Sequence, residues 1–169
     1  QTAFVHKSYC PMKEYEDYEV PTDQTLHLQE KSYETMEFLG DAILESVIST
    51  YLYERFHKIH HQNEGFLTKL RIRLVCGVNL TALSKCLQFQ EYLIISDQIE
   101  KSPKGRLNDN ILEDVFEAFI GALLLDQSYE IAEKFIISVI ETYVDFTEIL
   151  MTDNNYKDQL SRYFQKNFK

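Results

Sequence analysis

Tryptophan is absent from the 169 residues, and glycine, proline and cysteine are scarce, at 5, 3 and 3. So few glycines and prolines leave little material for tight turns, which argues against a domain of many short strands. The cysteines, Cys10, Cys76 and Cys86, are odd in number and widely spaced. They form no C-x-x-C pair, so neither a zinc site nor a disulfide framework is indicated, and a reducing compartment fits best. No apolar run reaches membrane-spanning length and no secretory leader is recognisable. The expected setting is intracellular, cytoplasmic or nuclear, not secreted, with no membrane partner. The sequon Asn79-Leu80-Thr81 therefore carries little weight. The chain begins at Gln1 in mid-pattern, as expected of a piece trimmed from a longer protein.

Basic residues are also in the minority: 17 Lys and Arg stand against 27 Asp and Glu, a formal net charge of −10. Averaged over the chain, that balance argues against a nucleic-acid binder with a basic surface. A metal site made of carboxylates is acidic by nature, however, and its ion reverses the local sign.

What is present is apolar material: 44% hydrophobic and 13% aromatic residues, enough for the core of one domain. About three quarters of the chain follows helical spacing and no run alternates as a strand, so the expectation is an all-α fold. Residues 1–8 look like the end of a helix, and 9–32, with Pro11 and Pro21, read as a long loop. Met36, Leu39, Ile43, Val47 and Tyr51 predict a helix from about Ser32, its cap, to His57. A polar connector over 57–65 leads to a helix from about Phe66 to Cys76, broken at Gly77, and to a shorter one over Val78 to Leu87. Residues 96–110 read as a loop, followed by an apolar helix from about Asn108 to Leu125. Ser128 caps a helix over Tyr129 to Val144, and a last short helix is expected near Tyr156 to Phe168.

Two acidic stretches stand out. Glu37 and Asp41 are four residues apart, and Asp114 and Glu117 three apart, so each pair shares one face of an otherwise apolar helix. Solvated acidic stripes are the commoner reading of such pairs. Here Phe38, Leu39 and Ile43 crowd the first pair, and Val115, Phe116, Phe119 and Ile120 the second. Gathering four carboxylates costs free energy unless positive charge lies between them. Oxygen-only ligands suit Mg²⁺, with Mn²⁺ also acceptable. Gly40 leaves room for close approach, and Gly121 sits one turn past Glu117, where another backbone or a ligand can come near.

Other groupings are weaker. A di-iron bundle needs two Glu-x-x-His strings, and only Glu54-Arg55-Phe56-His57 exists. His57, His60 and His61 fit a solvated connector better than a metal cluster, with His57 placed to serve a helix dipole. Lys101, Lys104 and Arg106 form the densest basic run and precede the second acidic helix, which makes them candidates for phosphate contact. Of Lys69, Arg71 and Arg73, some are expected to pair with acids.

The acidic stretches carry a resemblance. ETMEFLGDAIL, Glu34 to Leu44, is similar to the ribonuclease III signature ERLEFLGDAVL in eight of eleven positions. ILEDVFEAFIGALLLD, residues 111–126, resembles that family's second acidic motif, and His6-Lys7-Ser8 resembles its upstream H-x-S. The helical middle matches as well, so the likeness spans nearly the whole chain. It implies an all-α endonuclease-domain fold over 1–150 that acts as a homodimer on double-stranded RNA. Glu37, Asp41, Asp114 and Glu117 would be the catalytic and Mg²⁺-binding acids, with Glu34 a secondary acid. Phe38 would insert into the partner subunit. The products would carry 5′-phosphate and 3′-hydroxyl ends with short 3′ overhangs. The segment 151–169 looks like a linker and the opening of a truncated double-stranded-RNA-binding domain, on Asn155 to Gln165. There are departures: the loop between Ser8 and Glu34 is longer than usual by roughly a dozen residues, and Glu113 replaces a common Ala. The rival reading is a catalytically inactive dimer that binds or sequesters duplex RNA, because a fold does not fix a function.

Overall fold

Leu44, Val47, Ile48 and Leu52 recur at three- and four-residue steps, and all are buried. They line helix α1, Glu34–Leu52, whose apolar stripe must be covered. The cover is mainly α5, Asp109–Asp126. This helix buries Ile111, Leu112, Val115, Phe116, Ala118, Ile120 and Gly121, which point to several sides. A helix apolar on most faces belongs in the centre of a fold. Accordingly α5 also meets α3, Gly77–Cys86, and α6, Tyr129–Tyr143. The remaining helices are α2, Glu64–Val75, α4, Asp97–Glu100, and α7, Phe146–Met151. The computed structural model describes residues 1–11 and 26–151. Among them the secondary structure is helical, apart from one isolated parallel bridge between Val5 and Ile94.

The helix starts follow the caps. Asn63 accepts from the Phe66 amide at 3.0 Å and opens α2, and Asn108 accepts from Asn110 at 3.1 Å and opens α5. Ser128, predicted as a cap, accepts from Ile131 at 3.4 Å and opens α6. Gly77, predicted as the break after the third helical run, is the first residue of α3.

Three expectations need correction. Residues 1–8 do not end a helix. They form two single 3₁₀ turns, Thr2–Phe4 and Lys7–Tyr9, on either side of an extended Val5. The backbone between those turns bonds elsewhere: His6 N to Ile94 O at 3.0 Å, Ile94 N to Phe4 O at 2.8 Å, and Tyr33 N to Val5 O at 2.9 Å. Ser32 is not the cap of α1; Tyr33 holds that position without a side-chain cap bond, and the Ser32 hydroxyl donates to Glu34 at 3.2 Å. The stretch 96–110 is not all loop, because α4 and a 3₁₀ turn at Gly105–Leu107 lie within it. Ser96 nucleates α4 by capping Ile99. The turn needs Gly105, whose φ of +47° side chains rarely adopt. The predicted helix near 156–168, and residues 12–25 of the long loop, lie outside the described residues.

Candidate active site

The site begins at a crossing of backbones. A Cβ on Gly40 would stand 1.8 Å from the Glu117 carbonyl oxygen, and a Cβ on Gly121 would stand 2.2 Å from the Met36 carbonyl oxygen. No other residue type allows α1 and α5 to meet this closely. Glu37 and Asp41 flank Gly40 on one helix, and Asp114 and Glu117 precede Gly121 on the other. Two pairs of carboxylates therefore lie near one crossing, three of them half-buried and Asp41 exposed.

The electrostatics record that proximity. The Glu117 carboxyl is pushed up to about 8, first by burial and then by Asp41, Glu113, Glu37 and Asp114. Glu37 is raised by burial and then by Asp114 and Glu34. Asp114 is raised by burial, against the pull of a hydrogen bond from Tyr33 and of His6 and Lys7. Burial also raises Glu113, with Asp114 adding to it. Glu34 goes the other way: Lys7 bonds it at 3.1 Å and holds its carboxyl below the usual range.

Carboxylates near one another, three of them raised first by burial, match in chemistry the needs of a hard divalent cation. Glu37, Asp41, Asp114 and Glu117 fit that group by chemistry. Among the described residues no three such side chains stand close enough to hold one ion together.

Phe38 lies beside these acids on α1 and is 83% exposed. The basic run is less free than its sequence suggests. Lys101 pairs with Asp97 at 2.6 Å and Lys104 with Asp109 at 2.5 Å. Arg106 bonds Glu100 and also donates to the carbonyls of Gln90 and Leu93, at 3.2 and 2.8 Å. Arg71 donates to Ser49 Oγ at 3.1 Å, and Arg73 to the Ile149 carbonyl. Glu54 pairs with Lys58, and His57 meets the Gln62 carbonyl at 2.8 Å. A groove of about 370 Å³ between α1 and α2 is lined by Tyr53, His57, Glu64, Thr68 and Arg71 but by none of the four acids.

Sequence reasoning missed Tyr33. It is buried, and its hydroxyl donates to Asp114 Oδ2 at 3.0 Å. A contact across 81 residues leaves no local signal. Glu113 was noticed only as an added charge. Its carboxylate covers Gly77 at the start of α3, where a Cβ would come within 2.3 Å of it.

A family model for ribonuclease-III-like domains matches residues 1–143. The chain belongs to that family. A protein from Acanthamoeba polyphaga mimivirus, named probable ribonuclease 3, is 38% identical over 96% of this chain and 31% of its own length. Ribonuclease 3 of Leptospira interrogans is 35% identical over 99% of this chain and 61% of its own. This ribonuclease-III-like chain therefore spans a third to under two thirds of these curated relatives. The nuclease domain of ribonuclease III from Campylobacter jejuni superimposes with a TM-score of 0.67 at 30% identity, covering 83% of each chain. The all-α expectation and the resemblance read from the two acidic motifs are both met. No helix among the described residues is long and apolar enough to cross a membrane.

Proposed function

We propose that this ribonuclease-III-like domain is a divalent-metal-dependent endoribonuclease acting on double-stranded RNA. The observation that carries the proposal is the glycine-to-backbone crossing that sets Glu37 and Asp41 against Asp114 and Glu117. Glu37, Asp41, Asp114 and Glu117 would hold Mg²⁺, or Mn²⁺ in its place. Such an ion stabilises charge on phosphorus and acidifies a bound water. In the hydrolysis, water oxygen bonds to phosphorus, the bond to the 3′ oxygen breaks, and that oxygen leaves as a hydroxyl. The products carry 5′-phosphate and 3′-hydroxyl ends, with short 3′ overhangs when two subunits each cut one strand. Burial and the neighbouring acids raise the Glu117 carboxyl to about 8, so a cation held there would have to displace its proton, and affinity would rise with pH.

The same reading makes the working unit a homodimer with Phe38 at its interface. The Campylobacter jejuni nuclease domain has a region involved in dimer formation. Phe38, exposed beside the acids, is a side chain that such an interface would cover. Lys101 and Lys104 are candidates for phosphate contact, since exposed ion pairs are weak and exchange partners readily. Arg106 joins them as a candidate, with part of its guanidinium held by the loop. Glu34, bonded to Lys7, serves as a secondary acid at the edge of the site. Residues 1–150 form the nuclease domain in this reading, and 151–169 a linker and the start of a double-stranded-RNA-binding domain.

The test is end-labelled duplex RNA incubated with Mg²⁺ and then with EDTA. Shortening that needs the metal supports the proposal. A shifted band without shortening, in Mg²⁺, overturns it in favour of a sequestering dimer.

A further inference from the structure

Tyr33 is fixed from several sides. Its amide donates to Val5 O at 2.9 Å, and its carbonyl accepts from the amides of Met36 and Glu37 at 2.8 and 2.9 Å. Its ring lies 5.9 Å from the His6 ring, and the residue is 2% exposed. A phenol has a single proton to donate, and a buried one needs an acceptor. Here that acceptor is Asp114 Oδ2 at 3.0 Å. The hydroxyl cannot swing away without taking the ring out of its buried place beside His6. The bond therefore restrains the Asp114 carboxylate and takes one lone pair of Oδ2. Because the Tyr33 carbonyl also receives the Glu37 amide, one residue ties the start of the first acidic helix to the third acid of the site.

We infer that Tyr33 is a positioning residue that holds Asp114 by Oδ2 and so aims its carboxylate at a divalent cation, an inference that rests on the metal-site reading above. A cation that took both Asp114 oxygens would have to share Oδ2 with the Tyr33 proton, at 3.0 Å from the hydroxyl. A cation that took only Oδ1 would find its ligand already aimed. Groups that orient a metal ligand in this way typically govern affinity by about 10- to 100-fold.

The experiment measures Mn²⁺ alone, without RNA, by the electron paramagnetic resonance signal of the free ion. It compares the parent chain, Tyr33→Phe, Asp114→Asn, Glu117→Gln and the double variant of Tyr33→Phe with Asp114→Asn. Tyr33→Phe keeps the ring and removes only the donor. The expected result is a Kd for Mn²⁺ about tenfold weaker in Tyr33→Phe, and weaker still in Asp114→Asn. The double variant should be no worse than Asp114→Asn, because the two residues act through one carboxylate. Parent-like affinity in Tyr33→Phe overturns the inference while leaving the metal site standing, provided Asp114→Asn and Glu117→Gln still lose Mn²⁺. If those two variants also bind as the parent does, the metal-site reading itself is lost, and the inference with it. A second measurement uses the parent chain with ¹³C in its tyrosine rings. Substoichiometric Mn²⁺ should broaden the Tyr33 ring signals before those of any other tyrosine. Broadening that starts elsewhere overturns the inference even if Tyr33→Phe fails to fold.

Discussion

Gly40 and Gly121 face each other where α1 and α5 cross: a Cβ on Gly40 would stand 2.9 Å from the Gly121 nitrogen, and a Cβ on Gly121 would stand 3.3 Å from the Gly40 nitrogen. The worst contacts at both positions are with carbonyl oxygens of the other helix, which cannot yield as a side chain would. Gly40→Ala or Gly121→Ala must push the helices apart, at a cost of about 3 kcal/mol or more, the upper end for overpacking. Gly65, in α2, offers a control. A Cβ there meets its nearest atom at an ordinary 3.5 Å. Gly65→Ala should be neutral or stabilising by up to about 1 kcal/mol. Thermal melts of the three variants check this, and equal losses at positions 40 and 65 would refute the crossing.

Glu117→Gln is expected to abolish cleavage of duplex RNA in Mg²⁺ while the helical circular dichroism persists. The same variant reports on pH. The Glu117 carboxyl rises from 4.5 in a free chain to about 8 in the fold. Between those values the unfolded chain releases its proton first, so stability falls as pH rises through the window and is undiminished below 4.5. In EDTA the parent should lose melting temperature relative to Glu117→Gln between pH 5 and 8. Glu37, Asp114 and Glu113, also raised, act in the same direction in both proteins. His6, held down first by burial, adds an opposite slope below 6.5. The difference between the two proteins isolates Glu117. Saturating Mg²⁺ should shrink it, and a pH-independent difference in EDTA would show that the carboxyl is not strained.

The helices were legible where local rules decide them. Ser128 announces α6, and the apolar steps from Val47 back to Met36 announce α1. The four acids and the two glycines were legible because helical spacing alone puts them on matching faces. What failed was decided by partners distant in sequence. Residues 1–8 carry a helix-like pattern, yet their backbone is claimed by Ile94 and Tyr33. Tyr33 read as an ordinary helix start, and its bond to Asp114 exists only once α1 and α5 are packed. The basic run suggested free cations, whereas folding supplies Asp97, Asp109 and Glu100 as neighbours.

Phe38→Ala should leave the monomer's melting temperature nearly unchanged, because a side chain 83% exposed contributes little to its own core. It should weaken self-association. Sedimentation of parent and variant over a dilution series checks this. Identical dissociation profiles would remove Phe38 from the interface.

The last prediction separates cations that bind RNA from cations that hold the loop. Lys101 and Lys104 are exposed, and each is paired with an acid across solvent. Pairs of that kind are weak in solvent, so Lys101→Ala and Lys104→Ala should barely change stability. If the two contact phosphate, each loss should weaken duplex RNA binding and reduce the slope of log affinity against log salt by roughly 1. Arg106 is different. Its guanidinium satisfies the carbonyls of Gln90 and Leu93 as well as Glu100. Arg106→Ala strips those acceptors of a charged donor and should lower the melting temperature by several degrees, on about 2 kcal/mol. Lysine cannot reproduce the fork, so Arg106→Lys should recover only part of that loss. A parent-like melt for Arg106→Ala would show that the loop does not depend on it. An unchanged salt slope in both lysine variants would move the RNA path away from this loop.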